Sequence, residues 1–142
     1  MPSARTGLHA VWTLIALLSV GVAGYAIFHA VTGFAYLPLQ NPVLDPWGLQ
    51  THIIASSAAL MIGPFQSLRV LRQRQPRVHR WLGRSYVAAC LIGGFAGGII
   101  ALGSTAGPVA GWGFFLLALL WVPATLLALF AAMRRDFVDH ER

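Results

Sequence analysis

Apolar residues run along this chain in four long blocks, and polar or proline-rich breaks separate them. The blocks cover about 8–36, 49–71, 81–102 and 112–133. A helix needs roughly 20 predominantly apolar residues to cross the hydrocarbon of a bilayer, and each block is long enough. Inside a bilayer the backbone must satisfy its own hydrogen bonds, so each block is expected to be a helix. Arg5 before the first block also fits the start of a secretory signal, with a cleavage site near Ala23 and Gly24. The apolar part of such a signal is only about 7–15 residues, which favours a retained helix.

The breaks have different characters. Residues 37–48, LPLQNPVLDPWG, hold Pro38, Pro42 and Pro46 with Asn41, Asp45 and Gly48, which predicts a loop. Tyr36 and Trp47 flank it and suit the aromatic belt at a membrane interface. Residues 72–80 read as a second loop and 103–111, GSTAGPVAG, as an uncharged turn. Pro64 and Pro123 fall inside the second and fourth blocks, where a missing N–H and a ring clash predict kinks. Ser67 or Gln66 is placed to help satisfy the backbone at the first of these.

Composition supports a membrane protein. The 142 residues are 57% hydrophobic and only 10% charged, against about 25% charged in soluble domains. The mean hydropathy is +0.69. The net charge is +6, and all ten basic residues are Arg. Six of them, Arg69, Arg72, Arg74, Arg77, Arg80 and Arg84, lie in the stretch 69–86 where the second block gives way to the third, with no acid among them. With four spans, every arginine falls on one side and Asp45 on the other. The positive-inside rule makes the arginine side cytoplasmic. The expected fold is therefore all-α: a single transmembrane domain over residues 1–142, an antiparallel up-down four-helix bundle with both termini cytoplasmic. The location expected is the cell's inner (plasma) membrane, with several passes.

The same charges bear on partners. A basic balance in a soluble chain raises nucleic acid. Here the arginines sit at the ends of apolar runs, so nucleic acid is not expected. Arg72, Arg74 and Arg77 are expected at headgroup level, bound to anionic lipid. Cys90 is the one cysteine. It reads as a small buried side chain, without any metal-type spacing.

Within the third block, GGFAGG places Gly93 and Gly97 four apart, and Gly94 and Gly98 likewise. This doubled small-xxx-small pattern lets helix backbones approach closely. The packed helix is expected from this chain, or else from a second protomer or another membrane protein.

His52 near a helix start, GPFQ at 63–66, Arg69 and Arg72, and HRWLGRSY at 79–86 together resemble a family of bacterial predicted membrane proteins, domain of unknown function 2306. The glycine-rich third helix, the tryptophan-bearing fourth and His140 continue the resemblance, which covers about residues 50–142. It implies a membrane fold and carries no activity with it. Members run on past the last histidine, so the expectation here is a short member or one that has lost a terminal helix.

Chemistry-bearing residues are few. No acid lies within a block, which argues against a proton relay through buried carboxylates. No HExxH, phosphate-binding glycine loop or Gly-x-Ser-x-Gly elbow occurs. His9, His29, His52 and His79 lie at or within blocks, and His140 in the tail. Membrane bundles can hold haem b between histidines on facing helices, and HRWLG before a glycine-rich helix is loosely similar to the cytochrome b561-like proteins. His29 and His52 are the candidate pair near the outer side. His79 and His140 form a weaker pair near the inner side. The competing reading of His29 and His52 is polar glue between helices. The leading expectation is a non-catalytic accessory or interaction subunit, and the alternative is a b-type haem electron-transfer protein. No metal site and no catalytic residue are expected.

Overall fold

The computed structural model describes residues 3–35 and 46–134. Every regular element among them is helical: α1 (Ser3–Val31), α2 (Pro46–Gln66), α3 (Arg69–Arg74), α4 (Pro76–Leu102) and α5 (Pro108–Met133). Three segments are long and apolar enough to cross a membrane: His9–Val31 within α1, all of α4 and all of α5. α2 is not among the three, and its side chains include Gln50, Thr51, His52, Ser56, Ser57 and Gln66. Tyr36, Asp45, Arg135, His140 and Arg142 lie outside the described residues.

Local chemistry explains where the helices end. Residues 8–36 read as one continuous span, yet α1 stops at Val31. Gly33 takes φ 61° and Phe34 φ 63°, and Phe34 N–H donates to His29 O at 2.9 Å. A left-handed pair of this kind closes a helix by satisfying its last carbonyls, and glycine enters that region without cost. The expected arginine loop at 72–80 is mostly helix. α3 takes up Arg72 and Arg74, and α4 already begins at Pro76. Proline suits the first helical position, where no N–H is needed. It also forces the residue before it out of the helical region, and Gln75 accordingly breaks the chain at φ −135°, ψ 64°. The other break, at Ser67 and Leu68, follows Pro64. There Ser67 Oγ donates to Pro64 O at 2.7 Å.

The long helices stand in a row in chain order. α1 packs on α2, α2 on α4, and α4 on α5. Among the described residues no backbone contact joins α1 to α4 or α5, or α2 to α5. Neighbours are antiparallel. Trp12 near the start of α1 donates Nε1–H to Pro64 O near the end of α2 at 3.0 Å. At the other end of that pair, Gln50 Nε2 donates to Ala30 O at 2.7 Å. Along the next seam Gln66 meets Gly83, and His52 meets Gly97. In the last, Ala118 meets Gly98, and Gly111 meets the Ala101 carbonyl. The helices thus form an open row, and no closed ring of four exists among the described residues. The hydrophobic effect that closes a bundle in water is missing between helices in lipid, where packing and hydrogen bonds must supply the contacts. The interhelical hydrogen bonds join α1 to α2 and α2 to α4, while α5 has no buried residue at all.

Candidate functional site

The row curves around a groove of about 1150 Å³ lined by α1, α2, α4 and α5. Its floor is the α2–α4 seam, built from residues too small to fill the space: Ser56, Ala59, Gly63, Cys90, Gly94 and Gly97. Ile15 and Ser19 of α1 form one wall. Phe114, Leu117 and Trp121 of α5 form the other. None of the described residues lining it carries a formal charge.

The glycines of α4 shape the floor by letting α2 come close. A Cβ placed on Gly97 would lie 2.7 Å from His52 Nδ1, and one on Gly93 would lie 2.8 Å from Ser56 Oγ. The Gly93–Gly97 pair therefore receives α2. The Gly94–Gly98 pair faces the other way: there a Cβ would lie 2.9 Å from Val122 Cγ2 and 3.2 Å from Ala118 Cβ on α5.

His52 is held in this notch. Its Nδ1 lies 2.7 Å from Gly93 O. A carbonyl only accepts, so Nδ1 carries the proton and donates. In the neutral ring Nε2 is then left as an acceptor. The Nδ1–Cε1 edge is pressed against Gly97, and the ring lines the groove.

His29 sits at nearly the same depth, because Gln50 ties Ala30 to the second turn of α2. Its surroundings differ. His29 is buried and edge-on to Tyr25 and Phe28, with ring centroids 4.5 and 5.3 Å away. Its Nδ1 has no hydrogen-bond partner among the described residues. The groove lining does not include it. The structure thus brings the two histidines to one level while their rings serve different neighbours. His79 lies in the first turn of α4, roughly 20 Å below the His52 level at 1.5 Å per residue, and His140 is outside the described residues. Among the described residues no cluster of three or more His, Cys, Asp or Glu side chains is suited to hold a metal ion.

Other polar residues were not foreseen as groove residues. Ser19 and Ser56 line it. The hydroxyls of Thr13, Thr32 and Thr125 bond back to carbonyls of their own helices. Those of Ser19 and Ser56 find no such partner among the described residues. Only the three-dimensional arrangement separates these groups, since all are hydroxyls within apolar sequence.

At the end of the molecule where α2 gives way to α4, Arg72 and Arg74 lie on α3 and Arg77 in the first turn of α4, all exposed. Arg84 stands 5.7 Å over the Trp81 ring, a cation–π distance. No acidic residue occurs among the described residues.

Residues 49–142 match the family model described as "Predicted membrane protein (DUF2306)". This is most of the chain, and the chain belongs to that family. The matched region includes α2, α4 and α5, and with them the floor and one wall of the groove. No curated protein matches the chain, and no solved structure does.

Proposed function

We propose that this chain is a non-catalytic accessory protein of the bacterial inner membrane, and that its working surface is the groove between α1 and α5. In this reading α2 also crosses the bilayer, as the polar helix sheltered between α1 and α4. The arginine-bearing end, with both termini, faces the cytoplasm, and Arg72, Arg74 and Arg77 meet anionic headgroups there. The occupant is a small apolar molecule taken from the bilayer.

The observation that carries this reading is the groove itself. Its volume of about 1150 Å³ lies just above the usual range of small-molecule sites, about 300–1,000 Å³. Among the described residues no catalytic constellation lines the site. The rival reading, haem b between His29 and His52, draws support from their matched depth. Their rings, however, serve different neighbours, and the uncharged groove offers no cation to the propionates. A b-type visible spectrum of the purified protein, lost in His52→Ala, would establish haem instead.

Native mass spectrometry of the protein released from its own membranes tests the main reading. A small apolar adduct is expected. It should be lost when exposed groove residues are enlarged, as in Leu60→Trp with Leu117→Trp. Release without any adduct, or with a partner protein that the same double variant displaces, would overturn it.

A further inference from the structure

We infer that His52 is the anchoring residue of the groove, accepting a hydrogen bond at Nε2 from the hydroxyl of a neutral membrane alcohol or phenol. The inference rests on the binding role of the groove and adds the chemistry of what is bound.

Three observations converge. The first is the fixed tautomer. Nδ1 donates to Gly93 O at 2.7 Å, so Nε2 must accept rather than donate. The ring cannot turn to exchange the two nitrogens without giving up that bond, and Gly97 holds the Nδ1–Cε1 edge at van der Waals contact. The second is the setting. His52 lines the groove, and a ring acceptor left unsatisfied in apolar surroundings within lipid is costly. A ligand that brings a donor removes that cost. The third is neutrality. No arginine, aspartate or glutamate is among the described lining residues, so a phosphate or carboxylate would enter without a counter-charge. The ligand that fits is apolar along its length, uncharged, and ends in an O–H.

Two sources of such a hydroxyl exist in a bacterial membrane: polyprenyl alcohols and the phenolic hydroxyls of reduced quinones. They share the chemistry that His52 reads. Ser56, one turn along α2 from His52, has a hydroxyl in the same lining and supplies a second polar contact for the ligand oxygen. Phe114 and Trp121 on the α5 wall offer apolar surface to either tail.

The test compares probes that differ by the hydroxyl proton alone or by its redox state. Titrate the full chain in nanodiscs with farnesol and with farnesyl methyl ether, and separately, without oxygen, with decylubiquinol and decylubiquinone. At least one hydroxyl form is expected to bind tenfold or more tightly than its partner lacking the proton, and the arm that does so identifies the source. His52→Asn keeps an N–H for Gly93 O and takes away the acceptor at the Nε2 position, its own Oδ1 staying nearer the α2 backbone, so it should fold and lose the preference. Its thermal unfolding serves as the folding check, and Ser56→Ala provides a second variant that leaves the His52–Gly93 bond in place. Equal binding of both members of each pair would overturn the role of His52 while leaving the groove as an apolar site. Retention of the preference in His52→Asn would do the same. Binding of none of the four probes would overturn the groove reading as well.

Discussion

α4 carries two glycine pairs that work against different kinds of neighbour. Gly93 and Gly97 receive Ser56 and His52 of α2, and the contact includes a hydrogen bond to a backbone carbonyl. Gly94 and Gly98 receive Val122, Trp121 and Ala118 of α5, with apolar contact only. The spacing is the same on both sides, yet the physics differs. Against α2 the missing Cβ lets a polar side chain reach the main chain, which gives direction and register. Against α5 it lets two smooth surfaces approach, which gives dispersion energy alone. The hydrogen-bonded seams, α1–α2 and α2–α4, both involve α2, and the apolar seam lies at the α5 edge of the row. That order is expected where lipid is the solvent, since it shelters polar groups and leaves apolar ones outside.

This contrast breaks most readily at Gly97. Gly97→Leu drives a side chain into the His52 ring and removes its bond to Gly93. Overpacking of about 1–3 kcal/mol is then joined by a lost interhelical hydrogen bond of about 0.6–2 kcal/mol. Thermal unfolding in detergent should fall furthest for this variant. Gly94→Leu meets only Val122 and Trp121, so the overpacking term stands alone, and the loss should be smaller, about 1–3 kcal/mol. Ile99→Leu, on an exposed position of the same helix, should be nearly silent. If all three unfold alike, the two seams are not different in kind.

A gentler comparison is between two hydrogen bonds of the central helix. Trp12→Phe removes the Nε1 bond to Pro64 O and should cost about 0.6 kcal/mol, the average for interhelical bonds in lipid. The ring packing on Phe65, 6.2 Å between centroids, remains. A loss as large as that of Gly97→Leu would put the anchor of the row at α1 rather than at α4.

The smallest stability effect belongs to the arginine end. Replacing Arg72, Arg74 and Arg77 by Gln leaves the apolar seams untouched and should barely move the unfolding temperature. Each arginine near an anionic leaflet contributes about 1 kcal/mol of attraction, so co-purifying anionic lipid should fall clearly. Unchanged lipid retention would remove the headgroup role.

How far these features could be read in advance varies with their range. The first, third and fourth apolar runs predict helices that the structure contains, because spanning length and hydropathy are local properties. The helix over 69–74 and the start of α4 at Pro76 were hidden because a proline among arginines reads as a breaker, whereas it sits at a first helical position. The early stop of α1 depended on Gly33, one glycine in a run rich in small residues. Spacing alone indicated that the α4 glycines suit close packing. Which pair meets which helix follows from the order of the row, a non-local fact. His29 and His52 look equivalent in sequence. Only the fold turns one toward Tyr25 and Phe28, and the other toward Gly93 and the groove.

The central claim is that His52 bridges the polar seam and the groove, with Nδ1 committed to the first and Nε2 open to the second. Nitrogen NMR of protein labelled with ¹⁵N-histidine tests this directly, with His52 assigned by its absence from the His52→Asn spectrum. The account predicts a protonated Nδ1 and a bare Nε2, with the Nε2 resonance moving toward the hydrogen-bonded position when farnesol is added and staying in place with farnesyl methyl ether. A proton found on Nε2, or an Nε2 resonance that ignores farnesol and decylubiquinol alike, would contradict it.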